Sequence, residues 1–67
     1  MDAKKLGKRI KLARVEMDMT QADLAEATGI LQKSISRYET GVSLPTLETL
    51  AKIAETLGKS FGYFLDG

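Results

Sequence analysis

A chain of 67 residues with no cysteine and no histidine has room for one small core, and it lacks a disulfide staple, a thiolate zinc site and the commonest general base. Its net charge of +1 is unevenly laid out: residues 1–14 carry six basic side chains against Asp2, a balance of +5, and residues 15–67 carry four against eight acids, a balance of −4. The missing thiol and imidazole argue against catalysis. The apolar runs are too short to span a membrane, and the basic start lacks the apolar core of a signal peptide. The expectation is therefore a cytoplasmic protein of a single domain, residues 1–67, that calls for no metal and no cofactor.

Taken in chain order, Leu6, Ile10, Ala13 and Met17 step by three or four, which predicts an amphipathic helix from about Ala3 to Met17. Gly7 costs this helix about 1 kcal/mol relative to alanine, so it signals either a late start or a close contact. Leu12 and Val15 fall off the stripe, as half-exposed residues or as part of a protein-contact patch. Asp18 suits the left-handed position that ends the helix. The basic run Lys4, Lys5, Lys8, Arg9, Lys11 and Arg14 could lie along phosphates, although a solvated helix face is the plainer account of such a run taken alone.

Thr20 is a good N-cap, and Asp23 three residues on can return a bond to the cap's own N–H, so a second helix starts at Gln21. Leu24, Ala25 and Thr28 mark its apolar face. Gly29 ends it near Thr28. Ile30 and Ile35 carry the spacing into a third segment that runs to a terminating glycine at Gly41. A steep crossing of two helices needs a small residue near the crossing and a turn that admits a positive φ, roles that Ala25 and Gly29 fill. Ile35 and Tyr38 then lie on one side of the third helix, with Gln32, Lys33, Ser36, Arg37 and Thr40 largely on the other. Such a face of donors and acceptors fits the major groove of DNA, where Gln pairs with adenine and Arg or Lys with guanine.

Further on, Pro45 and Thr46 open a fourth helix in which Leu47, Leu50, Ile53, Ala54 and Leu57 form a core stripe ending at Gly58. Ser60 can cap a last short turn, and Phe61, Phe64 and Leu65 bring large apolar groups to close the core. There is no internal repeat, low-complexity tract or linker. The chain is either a complete small regulator or a DNA-binding domain cut from a longer one.

The run Gln21, Leu24, Ala25, Gly29, Ile30, Ile35, Ser36, Tyr38, Glu39 and Gly41, preceded by Ile10 and Arg14 and followed by Pro45, resembles the phage-repressor and Cro-like helix-turn-helix family (XRE-type, lambda-repressor-like). The resemblance covers nearly the whole chain. It implies an all-α, five-helix DNA-binding domain in which helices two and three form the helix-turn-helix. It also implies a largely buried ion pair between Arg14 and Glu39, and a residue at Gln21 that touches the DNA backbone and supports the next helix. A phosphate contact is the competing role for Arg14.

Under this resemblance Gln32, Lys33, Ser36 and Arg37 are candidates to read base edges, and Gln21, Ser34, Thr40 and some of Lys4 to Lys11 are candidates for the backbone. Two departures weaken the match. Leu31 stands where relatives place a capping Ser or Thr, so it contacts thymine methyls, marks a shifted helix start, or faces a protein partner. Val42, Ser43 and Leu44 stand where relatives often carry basic residues, which leaves fewer phosphate contacts and weaker, less salt-dependent binding. The implied function is sequence-specific binding of double-stranded DNA by a transcriptional repressor, a homodimer through its C-terminal region on a near-palindromic operator. The alternative is a protein-interaction module of the same fold, an antitoxin or adaptor, with weak DNA binding.

Overall fold

All but one of the four longer helices begin at a side-chain oxygen that satisfies a free backbone N–H. In the computed structural model, which describes residues 1–65, helices α1 (Ala3–Glu16), α2 (Gln21–Thr28), α3 (Gln32–Glu39), α4 (Leu47–Leu57) and α5 (Phe61–Leu65) follow one another with no strand among the described residues. Asp2 caps α1 by accepting from the N–H groups of Lys4 and Lys5 at 2.9 and 3.2 Å. Thr20 caps α2 reciprocally with Asp23: the Asp23 N–H donates to the Thr20 hydroxyl at 3.0 Å, and the Thr20 N–H donates to the Asp23 carboxylate at 2.9 Å. Thr46 caps α4 from the Thr49 N–H, and Ser60 accepts from Tyr63 N–H at 3.2 Å in the last turn. The exception is α3, whose cap residue Leu31 makes no such bond.

The core takes Leu6, Ile10 and Ala13 from α1, Leu24 from α2, Ile35 from α3, Leu50, Ile53, Ala54 and Leu57 from α4, and Phe64 from α5. Each element gives at least one fully apolar side chain, so none holds its place alone; burial of one such side chain contributes about 1.5 to 3 kcal/mol. α1 packs on α3 and α5, and α2 packs on α3 and α4. Among the described residues, no helix is long and apolar enough to cross a membrane.

Two apolar positions differ from the sequence reading. Met17 is 51% exposed, because α1 ends at Glu16 and Asp18, at φ +56°, turns the chain away; Met19 packs against the core instead. Leu47 is 62% exposed. It is in phase with Leu50 and Ala54 but stands one turn ahead of the first buried residue of α4, and periodicity sets a direction without supplying a neighbour opposite. The third helix ends at Glu39 with Thr40 as its cap, and Gly41, at φ +78°, terminates it in the left-handed conformation as the sequence predicts.

The junction of α1 and α3 explains Gly7. A Cβ there would lie 2.6 Å from the Glu39 carbonyl oxygen and closer still to that of Tyr38. The glycine is thus a close contact, and α1 starts ahead of it. Only a residue without a side chain lets the two backbones approach this closely.

Candidate nucleic-acid interface

The turn between α2 and α3 is fixed from both sides. Gly29 adopts φ +75°, a left-handed conformation that ends α2 with its N–H on the Ala25 carbonyl at 2.9 Å. The Thr28 hydroxyl donates to the Leu24 carbonyl at 2.7 Å and accepts from the Ile30 N–H at 3.2 Å, which ties the last turn of α2 to the chain entering α3. Ile35 then plugs into the core with no exposed surface, and Tyr38 packs half-buried beside it.

What α3 leaves outside is polar. Gln32, Lys33, Arg37 and Thr40 are exposed, and Ser34 and Ser36 are half-buried. Gln32, Lys33, Ser36, Arg37 and Thr40 follow one another in steps of one and three residues, which puts them on one side of the helix, with Ser34 off that line. Arg37 is lightly held: its Nε donates to the Ser43 hydroxyl at 3.3 Å. The Thr40 hydroxyl is turned back onto its own helix, donating to the Ser36 carbonyl at 3.0 Å. Leu31 stands at the head of this face and is 74% exposed.

Behind α3 lies a polar cluster that the structure assembles from three helices. Arg14 Nε donates to Glu39 Oε2 at 2.7 Å and Arg14 Nη2 donates to Glu39 Oε1 at 3.0 Å, a bidentate pair. Arg14 Nη1 donates to the Met19 carbonyl at 2.7 Å, and Gln21 Nε2 donates to Glu39 Oε1 at 3.0 Å. Both charged residues are only 8% exposed. The hydrogen bonds that the Arg14 guanidinium donates to the Glu39 carboxylate hold its pKa above the ordinary value, against a smaller effect of burial. Gln21 is half-buried at the start of α2 and braces the end of α3.

The basic run divides in the structure. Lys4, Lys5, Lys8 and Lys11 are exposed, whereas Arg9 is half-buried and donates through Nη1 to the Tyr63 carbonyl at 3.2 Å, tying α1 to α5. Sequence reasoning also passed over the Asp2 cap and the pair of hydrogen bonds made by the Thr28 hydroxyl. An acidic residue just ahead of a periodic run is a usable start signal for the first. For the second, a threonine in a helix's last turn that bonds the carbonyl four residues back is a recurring pattern. Among the described residues, no three His, Cys, Asp or Glu side chains gather into a group able to hold a metal ion.

Two short helices, a left-handed glycine between them and a polar outward face on the second define a helix-turn-helix domain. Residues 10–64 match the helix-turn-helix family HTH_3, and the chain belongs to that family. It is 42% identical over 53 residues to the cryptic phage CTXphi transcriptional repressor RstR of Vibrio cholerae, a match covering 79% of this chain and 47% of that protein. It is 38% identical over 56 residues to the antitoxin PezA of Streptococcus pneumoniae, covering 84% of this chain and 35% of that protein. The crystal structure of an HTH_3 family transcriptional regulator from Vibrio cholerae matches with a TM-score of 0.88 at 31% identity, over 97% of this chain and 36% of that one. The chain thus spans about half the length of RstR and about a third of PezA. These matches agree with the phage-repressor resemblance and with the all-α, five-helix fold.

Proposed function

We propose that this chain is the DNA-binding domain of a transcriptional repressor, binding double-stranded DNA by sequence from the cytoplasm. The observation that carries the reading is the outward side of α3. Gln32, Lys33 and Arg37 stand exposed on a helix whose opposite side is locked by the buried Ile35 and Glu39. A helix of this width fits the major groove, so Gln32, Lys33, Ser36 and Arg37 read base edges, and Gln21, Ser34, Thr40 and the exposed lysines of α1 meet the backbone. Arg14 and Glu39 serve structure in this reading, since a guanidinium already bonded to a carboxylate and a carbonyl has little left to offer a phosphate.

Two copies acting as a homodimer would place their recognition helices about 34 to 36 Å apart on a near-palindromic site. Half-buried Phe61, Tyr63 and Leu65 around the buried Phe64 support a pairing through the C-terminal region. The test is selection of bound sequences from random duplexes, with Arg37→Ala beside the parent at one salt concentration. A two-fold-symmetric site is expected, relaxed at one base pair per half-site by about 1 to 3 kcal/mol in the variant. A variant as selective as its parent would remove Arg37 from the reading set.

A protein-interaction module, an antitoxin or adaptor, is the second reading. It is favoured by the similarity to PezA and by the exposure of Leu31, Val42 and Leu44. Retention on heparin separates the two: a DNA-binding chain elutes at a salt concentration that falls when Lys33 and Arg37 are replaced, and an interaction module does not respond.

A further inference from the structure

Leu31 is the most exposed large apolar side chain in the described structure, at 74%, and it occupies the cap of α3, where it gives no hydrogen bond to the helix. A Ser or Thr at this position would supply that bond and stabilise the helix start. The chain therefore forgoes a stabilising contact at the N-terminal end of α3, the end that the DNA-binding reading puts first into a groove, and it places a bare isobutyl group there. Next to it are Gln32 and Lys33, both exposed and both able to fix a base edge. In the major groove only one base-pair feature is apolar, the C5-methyl group of thymine. N-terminal residues of a recognition helix are the ones that approach base edges.

We infer that Leu31 is a specificity-determining residue that reads the methyl group of one thymine in each half-site, beside the polar contacts of Gln32 and Lys33. The inference rests on the DNA-binding reading above and adds to it a base identity that hydrogen bonding alone does not fix. Guanine, cytosine and adenine present no methyl there, so the pairing selects thymine by contact area.

The experiment replaces each thymine of the selected duplex in turn by deoxyuridine, which removes the methyl group and nothing else, and measures binding of the full chain and of Leu31→Ser. In the parent, one thymine per half-site is expected to show a three- to fivefold loss of affinity on replacement, the size of one buried methyl group. In Leu31→Ser that loss disappears while the penalties at other positions persist. Because Leu31 is outside the core, the variant is expected to fold, and its circular dichroism and melting curve check this before binding is measured. A uracil penalty of equal size in parent and variant overturns the inference, as does a parent insensitive to every thymine methyl. Failure of the parent to bind any selected duplex is a different outcome, which overturns the DNA-binding reading and this inference with it.

Discussion

Arg14 and Arg37 are the same side chain in two surroundings, and they divide the molecule into a frame and a face. Arg14 is withdrawn from water with all three guanidinium nitrogens engaged, two on Glu39 and one on the Met19 carbonyl. Arg37 is exposed, with one 3.3 Å bond to Ser43. A buried guanidinium has to satisfy its donors internally, since each unmade bond carries a desolvation cost of about 1 to 3 kcal/mol or more. In water the same donors stay available to a partner. The cluster behind α3 therefore fixes where the helix lies, and the outward side of α3 remains chemically unspent.

The largest effect expected from this division is at Arg14. Arg14→Met leaves the Glu39 carboxylate in a nearly closed site with Gln21 as its remaining side-chain partner. Removing one member of a buried pair costs about 3 to 5 kcal/mol, about the whole stability expected of a domain this small. Thermal melting followed by circular dichroism should show a variant largely unfolded at room temperature, while Arg37→Ala should stay within about 0.5 kcal/mol of the parent. Equal melting of Arg14→Met and parent would break the comparison at its first term. Gly7→Ala comes next. The added methyl group meets the backbone carbonyls of Tyr38 and Glu39, which cannot rotate away as a flexible side chain would. Separating α1 from α3 is expected to cost about 2 kcal/mol, a typical overpacking penalty. A urea midpoint equal to the parent's would show that the two helices part at no cost.

Most of the frame was legible in the sequence, because caps, left-handed terminators and apolar spacing are local signals. Thr20 with Asp23, Asp18, Gly29, Thr46 and Gly58 all act where the sequence puts them. What was not legible depends on residues far away in the chain. Gly7 admitted two readings until the carbonyls of Tyr38 and Glu39 were seen beside it. Met17 falls past the end of α1 at Glu16, and Leu47 has the right phase but stands one turn ahead of the first buried residue of α4. Arg9 reads as one more positive charge, yet its partner is a carbonyl 54 residues away. On the face of α3, sequence spacing identifies which side chains share a side, but their roles wait on a bound partner.

The caps repeat the contrast at smaller scale. Thr20 satisfies the first turn of α2, and Leu31 leaves that of α3 without a side-chain bond. Leu31→Ser is therefore expected to stabilise the free protein by about 1 kcal/mol, raising its melting temperature by roughly 4 to 8 °C for a domain of this size. A melting temperature at or below the parent's would mean that the exposed leucine supports the fold in a way its surroundings do not reveal.

The smallest expected effect is acid sensitivity at two caps of the frame. The Asp23 carboxylate is held below its ordinary pKa first by the Thr20 backbone N–H and then by the Thr20 hydroxyl; Asp2 is held below its own chiefly by the N–H groups of Lys5 and Lys4. A carboxylate whose pKa is lower in the folded state stabilises fully above its unfolded value and loses that contribution as pH falls through the folded one. The contribution of these two caps should therefore be constant from neutrality to about pH 5 and fade below about pH 4. Both groups are exposed, so the change is small, and it is read best as a difference: melting temperature against pH for the parent and for Asp2→Asn with Asp23→Asn. The double variant keeps a capping oxygen at each position but has no charge to lose, so its curve should fall less steeply below pH 4. Parallel curves would show that the charge on these caps contributes nothing, and that the acid response of the frame arises elsewhere.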